Sequence, residues 1–270
     1  MTKILQISDT HIVPHGDLAY DKVDTAAALS ETVATINRLR AQAGPIDLVI
    51  VTGDLTEHGS DAEYGRFLEI MADLELPFRA VPGNHDRRGP MRSAFETTGW
   101  MSRQGDVNWQ TDFEDFAVVG LDSLEEGQAY GTLAPDTLAW LSGQLVELNG
   151  KPVIIALHHP PFATGIQAMD AQNLRNANEL EDALAGYSGE IRLICGHVHR
   201  SIAGLFAGRF CQICQGTSHA VTLDQRSDAG NSLTVEPGGM MLHEWRGGRF
   251  LSHLIPVGSF PGPYPFLGVR

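Results

Sequence analysis

Eleven histidines occur in a chain with only 19 Lys and Arg, and most of those that matter stand beside aspartate, asparagine or glycine. Histidine is the commonest metal ligand and the side chain that titrates near neutrality. The ligand-type clusters, in order, are Asp9-Thr10-His11, Gly53-Asp54, Gly83-Asn84-His85-Asp86, His158-His159 and Gly196-His197-Val198-His199. Asp9 and His11 are two residues apart, as are His197 and His199. Where extended geometry persists, that spacing sends both side chains to one face. Gly53, Gly83 and Gly196 adjoin ligand candidates, where a backbone without Cβ can turn sharply and approach closely. Asp54 has two oxygens with which to bridge two cations. Asp9, His11, Asp54, Asn84, His158, His197 and His199 are then enough ligands for two divalent ions sharing Asp54. A lone Asp-x-His or His-x-His would carry little weight, because a strand-end histidine is usually satisfied by structural hydrogen bonds. Successive clusters with mutually consistent roles make coincidence a poor account. Oxygen and imidazole donors without thiolate suit Mn, Fe, Co or Zn better than Cu(I) or a calcium cage.

These clusters need elements to position them. Short β-type apolar runs alternate with helix-period segments, which points to α/β layering. The expected strands are 3–7, 47–51, 78–81, 116–121, 153–157 and 191–195, and each cluster lies at or beyond the carboxyl end of such a strand, where sites form in open α/β sheets. A helix is expected over 23–41, and Ser60 with Glu63 forms a capping box that opens another through about Leu74. A third follows Pro135, with Leu138, Leu141, Leu145 and Leu148 on one face. From 201 onward the chain turns strand-like, over 201–206, 209–214, 240–245 and 249–255, with Arg246-Gly247-Gly248 as a hairpin signal. Residues 256–270, with four prolines, read as an extended C-terminal arm following one domain over 1–255. Loops 56–60, 87–91 and 163–171 are expected to shape the pocket.

The ordered set of motifs resembles the calcineurin-like metallophosphoesterase superfamily, from Asp9 to at least His219. Ile7-Ser8-Asp9-Thr10-His11 and Val81-Pro82-Gly83-Asn84-His85-Asp86 resemble the class III cyclic-nucleotide phosphodiesterases. His158-His159-Pro160-Pro161, with Gly165, Gln167, Ala168, Met169 and Asp170, and Gly216-Thr217-Ser218-His219 are similar to bacterial glycerophosphodiesterases of that branch. The resemblance implies a four-layer αββα sandwich of two mixed β-sheets flanked by helices, with a binuclear site. It places Asp9, His11, Asp54 and His199 on one metal, and Asp54, Asn84, His158 and His197 on the other. His85 matches the residue that contacts the phosphoryl oxygens or protonates the leaving group; its alternative is a supporting hydrogen bond. His159 reads as a residue behind the ligands or in the core, and His219 as one that faces substrate or orients a ligand.

The implied reaction is hydrolysis of a small phosphodiester, either a 3′,5′-cyclic nucleotide such as cyclic AMP or a glycerophosphodiester, by in-line attack of a metal-bridging hydroxide. A phosphomonoesterase or nucleotide pyrophosphatase could use the same metals. A noncatalytic interaction module that lost its metals is the rival from another class, and the presence of every expected ligand counts against it.

Composition restricts the partners. With 33 Asp and Glu against 19 Lys and Arg, the formal charge is −14 and the pI near 5.1. No basic stretch is present to hold a nucleic-acid polymer. Two divalent ions would bring about +4 to a shell with only two carboxylates, so a small anionic diester remains compatible. The apolar run after Lys3 is too short for a signal peptide, which needs about 7–15 residues. No stretch approaches the roughly 20 residues needed to span a bilayer. Cys195, Cys211 and Cys214 are an odd set without framework spacing, which reads as a reducing, cytoplasmic compartment. Cys211 and Cys214, three apart on a strand, should face opposite ways. Phe260, Tyr264, Pro265 and Phe266 make the arm apolar enough to dock on a second subunit in a homo-oligomer, or else to pack on its own domain.

Overall fold

The computed structural model describes residues 1–266; residues 267–270, the end of the expected arm, lie outside the described residues. The elements run β1 (Lys3–Ile7), α1 (Thr25–Ala43), β2 (Leu48–Thr52), α2 (Asp61–Met71), β3 (Phe78–Val81), α3 (Arg88–Phe95), β4 (Trp109–Asp112) and β5 (Ala117–Gly120). Then follow α4 (Pro135–Leu148), β6 (Val153–Ala156), α5 (Gln167–Asp170), α6 (Ala177–Leu184), β7 (Ile191–Cys195), β8 (Ile202–Phe206) and β9 (Arg209–Ile213). The chain closes with β10 (Ala220–Val221), β11 (Leu233–Thr234), β12 (Gly239–Arg246) and β13 (Arg249–Pro256).

Two mixed sheets, in the orders β13-β12-β1-β2-β3 and β4-β5-β6-β7-β9-β8, lie face to face. Parallel strands buried on both sides must be apolar throughout, and β2 (LVIVT) and β6 (VIIA) are buried at every residue. Ile4, Ile50, Phe116, Ile154, Ile194 and Phe250 form the seam between the sheets. Helices α1, α2 and α3 cover the outer face of the first sheet through a cluster including Leu29, Ile36, Phe67 and Phe95. Helices α4 and α6 cover the second through Leu141, Leu145, Leu180 and Leu184. The expected αββα sandwich is therefore present.

The capping box forms as expected, with Ser60 and Glu63 satisfying each other's first-turn amides. Helix α1 begins two residues later than expected. Val23 donates its amide to Ala19 O in a turn and packs with Val13 and Ala19, while the Asp24 side chain accepts from Ala27 N as the true cap. Helix α3 was not foreseen because Gly89-Pro90 reads as a turn, yet proline is tolerated in a first turn, where its missing N–H has no intrahelical partner. The β12–β13 hairpin turns on Gly247 and Gly248, both at positive φ, as a two-residue turn requires. Cys211 faces Cys195 beneath the helices, whereas Cys214 approaches Gln6 O on the opposite side. From 257 to 266 the chain runs without regular structure, and Gly258 N donates to Thr35 Oγ1 on α1. No helix among the described residues is long and apolar enough to cross a membrane.

A buried polar network couples the sheets just behind the strand ends. Gln6 Nε2 donates to Thr52 Oγ1 and to Cys195 O, each at 2.9 Å. Its Oε1 can only accept, so His243 Nε2, 3.1 Å away, carries the proton. His243 Nδ1 then accepts from Ser252 Oγ, and Ser252 Oγ accepts from Arg192. Burial first, and then the Arg192 charge, hold His243 neutral down to about pH 3. Its unfolded-state pKa is near 6.5, so between these values the unfolded chain binds a proton that the native protein does not, and stability falls as pH drops. By pH 5 this removes about 2 kcal/mol. His243→Leu should therefore cost roughly 1–3 kcal/mol at pH 7 by leaving Gln6 Oε1 unpaired. It should also shrink the loss between pH 7 and pH 5 by about 2 kcal/mol, as read by urea unfolding at both pH values.

Candidate metal centre

The ligand candidates converge, though not through extended alternation. Asp9, His11, Asp54, His197 and His199 all have positive φ, between 43° and 75°. Each lies beyond its strand, β1, β2 or β7, in tight left-handed turns that side chains with a Cβ rarely adopt. Such strain, of order 1–3 kcal/mol per residue, persists only where surroundings over-determine it. Here Asp9 N donates to Gly53 O and His11 N to Asp54 O, while His197 N donates to Asp9 Oδ1, lacing three strand ends together. Gly53, at φ 95°, sits where any Cβ would overlap the His158 ring, and a Cβ at Gly83 would overlap the Asp54 carboxylate and amide.

Asp54 stands at the centre. Its Oδ1 accepts from His85 N at 2.9 Å. Its Oδ2 lies 3.5 Å from His11 Nε2 and 3.2 Å from His158 Nε2. The expectation of one oxygen for each cation is therefore revised: the same oxygen faces both sets of ligands. Asp9, His11, Asp54 and His199 offer atoms all within 4.8 Å of one another. These are the four residues of the first implied set. In the second, His158 Nε2 is 3.2 Å from Asn84 Oδ1, while His197 clusters with His158 and His159.

Hydrogen bonds fix which nitrogens are free. His158 Nδ1 donates to Thr52 O at 2.7 Å, so its Nε2 points a lone pair at two oxygens, Asp54 Oδ2 and Asn84 Oδ1. Only a cation between them, a proton or a metal, relieves that repulsion. Burial opposes charge on His158, but the Asp54 carboxylate prevails and raises its pKa to about 9. His11 Nδ1 meets Glu57 Oε2 at 2.7 Å, leaving Nε2 aimed inward, 3.1 Å from His199 Nε2. Burial lowers both rings' pKa values, that of His199 to about 4, so two neutral imidazoles converge. Burial also raises Asp9 to about 7, with the Asp54 charge adding to the effect. Asp54 itself is held well below the usual range because the surrounding histidines outweigh its own burial. Asp9 Oδ2 and His197 Nε2 are buried without partners. Unpaired donors of this chemistry fit metal ions.

The remaining candidates separate. His85 Nδ1 donates to Glu57 O, leaving Nε2 toward the cavity; burial lowers its pKa, but Asp54 and Glu57 raise it overall. His219 lines the cavity with its ring 4.5 Å from that of His199 and is held neutral, mainly by burial, to about pH 3. His159 does not line it; its Nδ1 bonds Ser123 Oγ behind His158 and His197. Asp9 and His158 are fully buried behind the lining.

The cavity, about 230 Å³, is lined by Tyr20, Met169, Gln172, Val221, Asn231, Ser232 and Leu233 opposite the ligands. Loops 56–60 and 87–91 contribute no lining residue, contrary to expectation: Arg87 turns away to donate to His58 O. The sequence reading missed Glu57, whose signal was its position three residues past Asp54, on a stretch that the Ile12–Thr56 bridge lays beside His11. It also gave no role to Asp86, which accepts from Gly83 N, Leu55 N and Tyr64 Oη and so binds two ligand loops together.

Comparison with known proteins agrees with this geometry. A profile of the calcineurin-like phosphoesterase family matches residues 2–201. The chain belongs to this family. It is 39% identical over 265 residues, 97% of this chain and 96% of the other, to a protein of Arcobacter nitrofigilis named probable glycerophosphodiester phosphodiesterase GpdQ. It is 32% identical over 203 residues, 74% of this chain and 70% of the other, to the 3′,5′-cyclic adenosine monophosphate phosphodiesterase CpdA of Escherichia coli K12. A dimetal phosphatase from Danio rerio shares the fold with a TM-score of 0.65 at 16% identity, over 95% of this chain and 98% of that one.

Glu57→Ala should leave the family's fold intact but free the His11 ring, weakening metal binding about 10- to 100-fold, as measured by competition with a chromophoric chelator. Unchanged affinity would show that Glu57 does not orient His11.

Proposed function

We propose that this protein is a phosphoric diester hydrolase that uses two metal ions to cleave small phosphodiesters. The observation that carries the proposal is Asp54 Oδ2, poised between His11 and His158 at the junction of two ligand sets. Asp9, His11, Asp54 and His199 would hold one ion, and Asp54, Asn84, His158 and His197 the other. Such ions, when bound, supply an activated water and neutralise phosphoryl oxygens. Manganese, iron, zinc and cobalt all suit the donor set.

The chain's own residues do the rest. Glu57 and Thr52 O fix the His11 and His158 tautomers so that each presents a lone pair inward. His85, held at Nδ1 by Glu57 O and at its amide by Asp54, has Nε2 free to contact a phosphoryl oxygen or to give a proton to the departing alkoxide. His219, beside His199 on the cavity wall, would face substrate. His159 would support His158 and His197 from behind.

Two features favour a diester over a phosphomonoester. Among the described residues no Lys or Arg lines the cavity, which suits one negative charge better than two. The relative matched over 97% of this chain is named for glycerophosphodiesters, and the cyclic AMP phosphodiesterase matches over 74%. A glycerophosphodiester is thus the first substrate to examine and cyclic AMP the second. The protein is proposed to work in the cytoplasm, which suits its free cysteines, as a catalytic domain over 1–255 with an arm over 256–270. The exposed Phe260, Tyr264 and Phe266 support contact with a second copy; light scattering of a chain ending at Pro256 tests this, since an unchanged mass rejects an assembly role.

Asp54→Ala should abolish hydrolysis of bis(p-nitrophenyl) phosphate even in excess manganese; substantial turnover would refute the shared-ligand site. His85→Ala should lower kcat about 10²- to 10⁴-fold with both metal equivalents retained. Loss of one equivalent would instead make His85 a ligand.

A further inference from the structure

The wall facing the ligands is built by a device outside the family motifs. Strands β10 and β11 pair as Ala220–Thr234 and Val221–Leu233, and the loop between them returns Asn231 and Ser232 to the cavity rim. Its base is fixed from several directions. Arg200, the residue after His199, donates through Nε to Val221 O at 3.0 Å and through its guanidinium to Glu236. Thr222 N donates to Ser232 O, and the Thr222 and Thr234 hydroxyls meet at 2.9 Å. Leu233 packs against Val13, Ala19 and Val23. Farther out, the Gln225 side chain lies against Gly165 on the loop leading to Met169 and Gln172, so the hairpin arches over the site.

This wall has a distinct chemistry. Met169, Val221 and Leu233 are apolar; Gln172, Asn231 and Ser232 are polar but uncharged. Among the described residues the only carboxylate lining the cavity is that of Asp54, on the metal side. Gln172 Nε2 already donates to Ala168 O. The Asn231 and Ser232 side chains bond no protein group among the described residues, although the loop carrying them is tied down at its base. Both residues are exposed at the rim, so water meets these groups in the free protein, and a ligand reaching this wall would take the water's place. A neutral hydroxyl, which both donates and accepts, matches an amide and a hydroxyl side by side.

We propose that Asn231 and Ser232 are specificity-determining residues that hydrogen-bond a hydroxyl group on the alcohol portion of the diester substrate. The proposal rests on the phosphodiesterase reading and goes beyond it, because the metals see only the phosphoryl group and cannot tell one alcohol from another. A hydroxyl of this kind is shared by glycerol and by ribose. A cationic headgroup has no carboxylate on this wall to meet it and would point to solvent.

Two substrate pairs, each differing by hydroxylation of one alcohol, test the proposal on manganese-loaded protein: glycerophosphoethanolamine against propyl phosphoethanolamine, and cyclic AMP against its 2′-deoxy analogue. Wild type should favour the hydroxylated member of at least one pair by about tenfold or more in kcat/KM, the scale of one or two hydrogen bonds. In the double variant Asn231→Leu, Ser232→Ala that ratio should fall toward one, chiefly through a higher KM for the hydroxylated member. The pair whose ratio falls identifies glycerol or ribose as the recognised moiety. An unchanged ratio, or an equal loss on both members, would overturn the proposal and leave the hairpin as a passive wall. Wild-type activity on bis(p-nitrophenyl) phosphate with none on either pair would overturn it too. Inactivity on all of these would instead sink the phosphodiesterase reading itself.

Discussion

One carboxylate oxygen, Asp54 Oδ2, is the point on which the site closes. It faces His11 from the β1 turn and His158 from the β6 turn, while the other oxygen is spent on the amide of His85. Imidazole nitrogens and carboxylate oxygens thus meet in one buried volume. Burial penalises charge on every one of these groups, yet Asp54 is driven toward the ionised state and Asp9 away from it. Positive charge placed among these atoms, a proton or a metal ion, relieves their mutual repulsion.

Holding that arrangement is the work of the two sheets. Left-handed turns at Asp9, His11, Asp54, His197 and His199 are costly, and the rigid parallel strands beneath them make the alternatives costlier. Gln6 ties β1 to Thr52 at the end of β2 and to Cys195 at the end of β7, so the three turns share one buried hydrogen-bonded base. Asp86 joins the Asp54 and Asn84 loops in the same way from the helix side. A site assembled from five chain segments keeps its geometry because its supports are backbone amides and buried side chains rather than mobile loops.

Much of this was legible in the sequence, because ligand chemistry demands rare residue types at fixed places. The strand-end clusters, the capping box at Ser60 and the Gly247-Gly248 turn each depend on local rules and were read within a residue or two. What escaped depended on long-range contact. Glu57 is an ordinary loop glutamate until the Ile12–Thr56 bridge brings it to His11. The β10–β11 hairpin has strands of only two residues, too short for a period-2 signal, and its place over the site depends on Arg200 and Leu233. Alternation predicted convergence of Asp9 with His11 for the wrong reason, since the turns, not extended strands, aim both side chains.

The acidic surface and the metal site are compatible for the same reason. A net charge of −14 repels long polyanions, but most of the proposed ligands are neutral, so two ions held there would leave the cavity locally positive toward one small phosphoryl group. The most direct test of the shared oxygen is anomalous diffraction from crystals of the manganese-loaded protein. Two peaks about 3.5–4 Å apart, with Asp54 Oδ2 between them, are the predicted result. A single peak, or two peaks too far apart to share Asp54, would contradict it.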